Sequence, residues 1–314
     1  MNRSSAPRSI DEYLKQLRAA LEGEDPALIQ DALYDAEEYL RAEVAAHPEK
    51  SEADVLELIA STYGAPDEVA TAYRDTEVKV KAALRSPTPR PVENPGTLRR
   101  LFGIYLDPRA YTSVFYMLLT LATGVLYFVL VVVGVSLSAG LAILIIGVPF
   151  FLAFIGITRV MSLGEGRLLE AISGERMPRR PVHPGPAASW GARIGAMLSD
   201  ARTWTTLLYF VLMLPLGIIY FAIAVLGLWA GLNLGLAPLA VLGQDLHIFG
   251  PDYPHGLPFA WGHQWTYLGP GSWIASLFMA AAGILILTTL MHLARGIVRG
   301  HARLAKALLV EPGS

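Results

Sequence analysis

The chain contains no cysteine. That absence excludes disulfides, a thiol nucleophile, iron–sulfur clusters and cysteine-ligated zinc. Charge is scarce as well: Asp, Glu, Lys and Arg make up 17% of the 314 residues, against about 25% in an ordinary soluble domain. The opening residues are polar through Asp11 and hold no apolar stretch of the kind a secretory signal needs, so the N-terminal head is expected to stay on the side of its synthesis. No Gly-rich phosphate loop, nucleophile–base pair or basic DNA-reading helix stands out. Gly164-Glu165-Gly166 reads as a joint between a span and a helix rather than a nucleotide loop. The expectation is a protein without catalysis, without a cofactor, without a confident metal site and without direct nucleic-acid contact.

What is abundant is apolar surface. Hydrophobic residues make up 53% of the chain, and the mean hydropathy is +0.43. The charges are segregated. Residues 9–78 hold 18 acidic and 5 basic residues, a net of −13, whereas residues 79–314 hold 9 acidic and 18 basic, a net of +9. An acidic head followed by a basic, very apolar body is neither one soluble globule nor a disordered chain.

Between Arg109 and Arg159 no residue is charged. That run is too long for one helix across a hydrocarbon core of about 30 Å and long enough for two. Gly134, Ser136, Ser138 and Gly140 mark the expected turn, giving spans near 112–134 and 139–161. A second uncharged run from Arg202 to Asp245 gives a span near 204–228 and then a glycine-rich stretch of open geometry; a last span lies near 272–294. Lys and Arg number seven in 79–109, six in 162–202 and four in 295–314, but none in 135–138 or 229–271. The positive-inside rule then puts both termini in the cytoplasm of a four-span membrane protein. Trp229, Trp261, Trp265 and Trp273 gather on the opposite side, at the level of an interfacial aromatic belt.

The body also repeats itself. Asp107, Arg109, Thr112, Tyr116, Gly124, Tyr127, Phe128 and Gly134 fall on Asp200, Arg202, Thr205, Tyr209, Gly217, Tyr220, Phe221 and Gly227 at an offset of 93. Further on the offset is 136: Arg159, Gly164, Arg167 and Leu168 fall on Arg295, Gly300, Arg303 and Leu304. The body therefore reads as two copies of one hairpin, 107–180 and 200–310, with an outer insertion at about 229–271. Two-span copies that both begin in the cytoplasm are parallel. Gly124, Tyr127, Gly134, Gly217, Tyr220, Gly227 and Gly231 are the expected packing positions, because small residues let membrane helices approach closely. Gly147-Val148-Pro149 and Pro215-Leu216-Gly217 are candidate kinks. No span carries a charge near its middle, which counts against pumps and proton-coupled transport.

The head, 1–84, reads as four short helices. Ser9 with Glu12 forms a capping box, Asp25-Pro26 is an N-cap with proline at the first helical position, Ser51 opens a third helix, and Gly64-Ala65-Pro66 separates the third from the fourth. The pieces "DEYLKQLRAAL" (11–21), "DALYDAEEYLRAEV" (31–44) and "LIASTYGAPDEVATAYR" (58–74) resemble the HAAS-type signalling domain of bacterial membrane proteins. Gly64, Pro66 and Tyr73 belong to its most specific part and are the candidate head signature. The body, in "YFVLMLPLGIIYFAIAVLGL" (209–228) and "RGIVRGHARLAKALL" (295–309), resembles the membrane sensor domain found ahead of some bacterial histidine kinases. No kinase module follows Leu309 in this sequence. Proteins with HAAS-type heads are often associated with PadR-type transcription regulators, so the resemblance implies output through a cytoplasmic partner.

The fold class expected is therefore all-α: a small cytoplasmic helical domain, a proline-rich basic linker and juxtamembrane segment at 85–106, and a polytopic four-span body at 107–314. The expected function is non-catalytic sensing. Its alternative is accessory transport or lipid handling at the interface between the repeats. Partners are the lipid bilayer, a cytoplasmic regulator and a second copy of the chain. In the outer insertion, Asp245, His247, Asp252, Tyr253, His255, His263, Trp265 and Tyr267 supply metal-capable and titratable groups. Their spacing matches no metal motif, and an ordinary outer loop with interfacial aromatics is the plainer reading. His292 and His301 are expected at the inner interface. The basic juxtamembrane segments face an acidic head, and docking of the head on them is the expected route from spans to output.

Overall fold

The computed structural model describes residues 7–84, 96, 101–141, 147–178, 180, 195, 197–246, 248, 258–261, 264–267 and 272–310. The fold is helical, with four helices long and apolar enough to cross a membrane. One short antiparallel hairpin is added, β1 (Pro258–Trp261) against β2 (Gln264–Tyr267), with Ala260 opposite Trp265. Two compact units form, one of residues 1–91, 129–210 and 301–314 and the other of 92–128 and 211–300.

In the first unit the head helices follow their punctuation. α1 (Ile10–Ala20) starts at Ser9, whose hydroxyl accepts from the Glu12 N–H. Glu12 reaches past Ser9 to the Arg8 N–H at 2.8 Å, so the reciprocal half of the expected capping box is shifted by one residue. α2 (Pro26–Ala46) is capped by Asp25, which accepts from Ala27 N–H at 2.9 Å. α3 (Glu52–Ala60) has a full capping box between Ser51 and Asp54. α4 (Pro66–Leu84) follows Gly64, which sits at φ +106°, a left-handed geometry that only glycine adopts without strain. The four helices close on Leu17, Leu21, Ala32, Ala36, Leu40, Val55 and Ile59. Tyr13 donates to the Gly64 carbonyl at 2.9 Å, and the rings of Tyr39 and Tyr63 stack at 4.4 Å.

α5 (Pro108–Leu141) runs straight through the expected turn at 135–138. In lipid a helix satisfies its own backbone, so Gly134, Ser136, Ser138 and Gly140 do not end it. At about 1.5 Å per residue its 34 residues span about 51 Å, more than the hydrocarbon core. α6 (Gly147–Ser173) takes Pro149 in its first turn, where a missing N–H costs nothing, so this proline opens a helix instead of kinking one. Gly134 receives the ring of Phe154 from α6. Gly174, at φ +75°, ends α6.

The second unit is organised by glycine. α7 (Ala201–Gly235) contains Pro215 and continues through the glycine-rich stretch after 228, and a short α8 (Ala237–Asp245) follows. α9 (Trp273–Leu309) is the last span with its continuation. A Cβ on Gly124 would meet the Met213 carbonyl oxygen at 2.5 Å, and a Cβ on Gly217 would meet that of Thr120 at 2.5 Å. These positions correspond at the offset of 93. Along the contact the numbering runs in opposite directions: Gly124 faces Met213, Gly217 faces Thr120, and Val114 and Met117 share a cluster with Ala224 and Leu228. The two helices cross here with opposed sense, whereas the charge count has both first helices starting on one side. Close approach at glycine decides which faces meet and is indifferent to the charges that flank the helices. Gly227 receives Leu290, Gly231 receives Leu287, and Gly283 fits against the Gly235 backbone, so this small-residue stripe joins α7 to α9 within the chain.

Gly124→Ala inserts a methyl against the facing main chain, which has no flexible end to yield. It is expected to destabilise the detergent-solubilised protein by about 1–3 kcal/mol. Gly140→Ala, with nothing within 4 Å, is expected to leave thermal aggregation unchanged.

Candidate functional site

The most heavily built polar site lies in the first unit, where the head meets the chain that follows α6. The Arg176 guanidinium bridges Asp31 of α2, at 2.9 Å, and Glu77 of α4. All three side chains are nearly buried, at 11%, 7% and 5% exposed. Arg180 of the same segment adds bonds through its main chain and its side chain. Arg180 N–H donates to Asp31 Oδ1 at 2.9 Å, and Gln30 Nε2 donates to the Arg180 carbonyl at 2.6 Å. The Arg180 side chain pairs with Asp35 and lies over the Tyr34 ring. A second attachment comes from α9, whose Lys306 Nζ reaches Asp25 at 2.6 Å. Asp31 and Asp35 lie one helical turn apart, so α2 presents both carboxylates on one face.

Tyr73, from the head signature, donates to Asp35 Oδ2 at 3.0 Å. Burial first, and then the Asp35 carboxylate beside it, pushes its phenol above the ordinary tyrosine range, so it remains a donor. Gly64 supplies a left-handed turn and Pro66 the first residue of α4. These three positions are structural, and through Tyr73 one of them supports the docking face.

A second polar cluster sits where α6, α7 and α9 meet in the same unit. The Tyr209 hydroxyl lies 3.0 Å from His301 Nε2 and 3.4 Å from Glu165. Tyr209, Glu165 and His301 are 0%, 2% and 2% exposed. His301 is thus buried: its helix turns that face toward Tyr209. His292, in the second unit, lies 3.2 Å from the Leu101 carbonyl oxygen. Two ion pairs repeat the offsets of 93 and 136. Arg159 pairs with Asp200 at 3.5 Å in the first unit, and Arg295 pairs with Asp107 at 2.9 Å in the second.

Two adjoining cavities complete the first unit. The larger, about 340 Å³, is walled by Val135 and Ala139 of α5, Phe151, Phe154 and Ile155 of α6, and Leu207 of α7. A small polar pocket of about 30 Å³ holds Arg159, Asp200 and Arg202 and shares Ile155 and Thr203 with it.

In the insertion, Asp245 ends α8 and accepts from Trp273 Nε1 at 2.9 Å, tying the two ends of the insertion together. Trp265 stands in β2 opposite Ala260, and Tyr267 ends that strand opposite Pro258. His247, Asp252, Tyr253, His255 and His263 lie outside the described residues. Of the packing positions, Gly124, Gly134, Gly217, Gly227 and Gly231 meet neighbours as described above, Tyr127 is buried, and Tyr220 packs against the Met117–Ala224 cluster. Arg176, Asp31 and Glu77 were not singled out by the sequence. Their signal was the charge contrast between head and body, which names a surface but not its residues.

Residues 116–309, more than half of the chain, match the family model described as "Putative sensor". The chain belongs to this family. No match was found among the curated proteins or among the solved structures. The sensor-family match covers the body; the docked head lies before it in the sequence.

Removing Arg176 leaves two buried carboxylates side by side. Because the head can leave its seat and hydrate them, Arg176→Ala is expected to appear as undocking, with a loss that approaches the roughly 3–5 kcal/mol typical of broken buried pairs. Arg180→Ala removes a half-exposed partner, for which about 0.2–1 kcal/mol is typical. Hydrogen exchange of 28–36 and 174–178 in nanodiscs reads the difference: faster in the first variant, near wild type in the second.

Proposed function

We propose that this sensor-family protein is a non-catalytic membrane sensor whose spans govern the docking of a HAAS-like head, and that the head carries output to a cytoplasmic protein such as a PadR-type regulator. The observation behind this reading is the bridge from Arg176 to Asp31 and Glu77. Arg176 follows α6 by three residues, and Lys306, the second attachment, lies on α9. A shift of either helix therefore acts directly on the head. The acidic surface released on undocking, which includes Asp31, Asp35 and Glu77, would be the face a partner reads. Passage of a substrate between the repeats is disfavoured by the main-chain contact at Gly124 and Gly217, which leaves no gap at that crossing.

Affinity capture of the full-length protein against a chain lacking 1–84 tests this output. A regulator retained only by the full-length protein is expected, and retained more strongly by Arg176→Ala. Equal recovery from both chains would remove the head from signalling.

We also propose a bacterial inner-membrane location, as the resemblances to bacterial membrane proteins imply, with the head and both termini in the cytoplasm, as the Lys and Arg count implies. A chain without native cysteine suits accessibility labelling. Thr266→Cys is expected to react in intact spheroplasts. Ser61→Cys, Thr112→Cys and Ser199→Cys are expected to react only after permeabilisation. Reaction of positions 112 and 199 from opposite sides would make the two copies inverted, in keeping with the opposed crossing of α5 and α7.

A further inference from the structure

We infer that the adjoining cavities of the first unit form a binding site for one anionic phospholipid, an acyl chain in the apolar cavity and the phosphate end at Arg159 and Arg202. The inference does not depend on the head's role in output.

The first observation is shape and lining. The larger cavity, about 340 Å³, falls at the lower end of ligand pockets, about 300–1,000 Å³. Its walls are aliphatic and aromatic, and several of them, Val135, Val148, Leu198 and Trp204, are also exposed on the helix surfaces. These belong to helices of the membrane body, so lipid chains are the apolar molecules at hand.

The second observation is a pair of hydroxyls. Elsewhere on these helices Ser113, Thr120, Thr158, Ser162 and Thr288 close back on carbonyls of their own helix. Ser138 and Thr203 do not. Their oxygens are buried without a hydrogen-bond partner, and both line the apolar cavity. Thr203 itself is 7% exposed. A buried hydroxyl left unmade is costly. The ester oxygens of a phospholipid accept hydrogen bonds and donate none, which complements two donors in an otherwise apolar wall.

The third is charge. The polar pocket that shares Ile155 and Thr203 holds two guanidinium groups, Arg159 and Arg202, against one carboxylate, Asp200. Asp200 sits 3.5 Å from Arg159, a long pairing, and caps α7 by accepting from the Arg202 N–H at 3.0 Å. Arg202 Nε is directed to the Leu309 carbonyl. The net charge of the pocket is positive, and the Arg159 side chain is 31% exposed, open to a phosphate at the pocket mouth. An apolar chamber joined to a cationic pocket through a hydroxyl is the complement of an anionic amphiphile.

The test is native mass spectrometry of the full-length protein purified from nanodiscs of equal phosphatidylglycerol and phosphatidylcholine, followed by delipidation and titration of each lipid and of oleate. One retained phosphatidylglycerol is expected, bound about tenfold more tightly than phosphatidylcholine. Thr203→Val, nearly isosteric, is expected to weaken retention about tenfold. Arg159→Gln is expected to remove the preference between the lipids while leaving the apolar affinity. Ala139→Trp fills the cavity and is expected to abolish retention. Circular dichroism checks that each variant keeps its helices. Equal retention in the wild type and Thr203→Val, equal binding of both phospholipids, or preference for oleate would each overturn the assignment.

Discussion

The docked state depends on one buried cation. Arg176 holds Asp31 and Glu77 together where neither carboxylate is open to water. Burying three charges is costly, and their mutual attraction offsets that cost only when all three are in place. The result is strongly two-valued. With Arg176 seated, the head is fixed; with it withdrawn, like charges remain and the seat opens into solvent. A neutral apolar seat of the same area would loosen by degrees. An ion triad at the edge of water makes the seat sensitive to the position of the segment that follows α6.

The body works under a different constraint. Between helices in lipid there is no hydrophobic drive, so association rests on close packing and on polar pairs. Gly124 against the Met213 main chain and Gly217 against that of Thr120 supply the first. Arg159 with Asp200 and Arg295 with Asp107 supply the second. Both sets recur at fixed offsets in the sequence. Tyr111 and Trp204, also 93 apart, donate to the carbonyls of Tyr105 and Leu198, themselves 93 apart. Recurrence of this kind ties the packing to positions that a duplicated sequence would have carried over together.

Much of this was legible in advance, for identifiable reasons. Head helices announce themselves by caps, since Ser9, Asp25 and Ser51 each satisfy a first-turn amide that has no partner within its own helix. Spans announce themselves by uncharged length. Turns within apolar segments do not: Gly134 and Ser138 look like punctuation, yet α5 continues to Leu141 because in lipid an interrupted helix has nowhere to place its backbone groups. Pro149 misleads in the opposite way, being free of cost in a first turn. The docking residues were hidden for another reason. Among 18 acidic side chains in the head, only geometry distinguishes Asp31 and Glu77 from those that face water.

The buried cluster of Tyr209, Glu165 and His301 connects the two constraints. Glu165 and His301 are 136 residues apart, the second of the two offsets at which residues of the sequence recur, with a carboxylate at one position and an imidazole at the other. Tyr209 bonds to both, and its own counterpart Tyr116 is fully buried too. The cluster therefore joins α6, α7 and α9 through polar atoms that cannot find water as substitutes. Such a junction resists sliding of one helix along another, because any slip leaves a buried polar atom without its partner. Glu165 lies on α6, the helix that leads to Arg176, and His301 lies on α9, the helix that carries Lys306. Both attachments of the head are thus continuous with helices locked at a single polar junction. Independent drift of the two helices would break that junction, so the polar cluster couples the places of α6 and α9 within this unit.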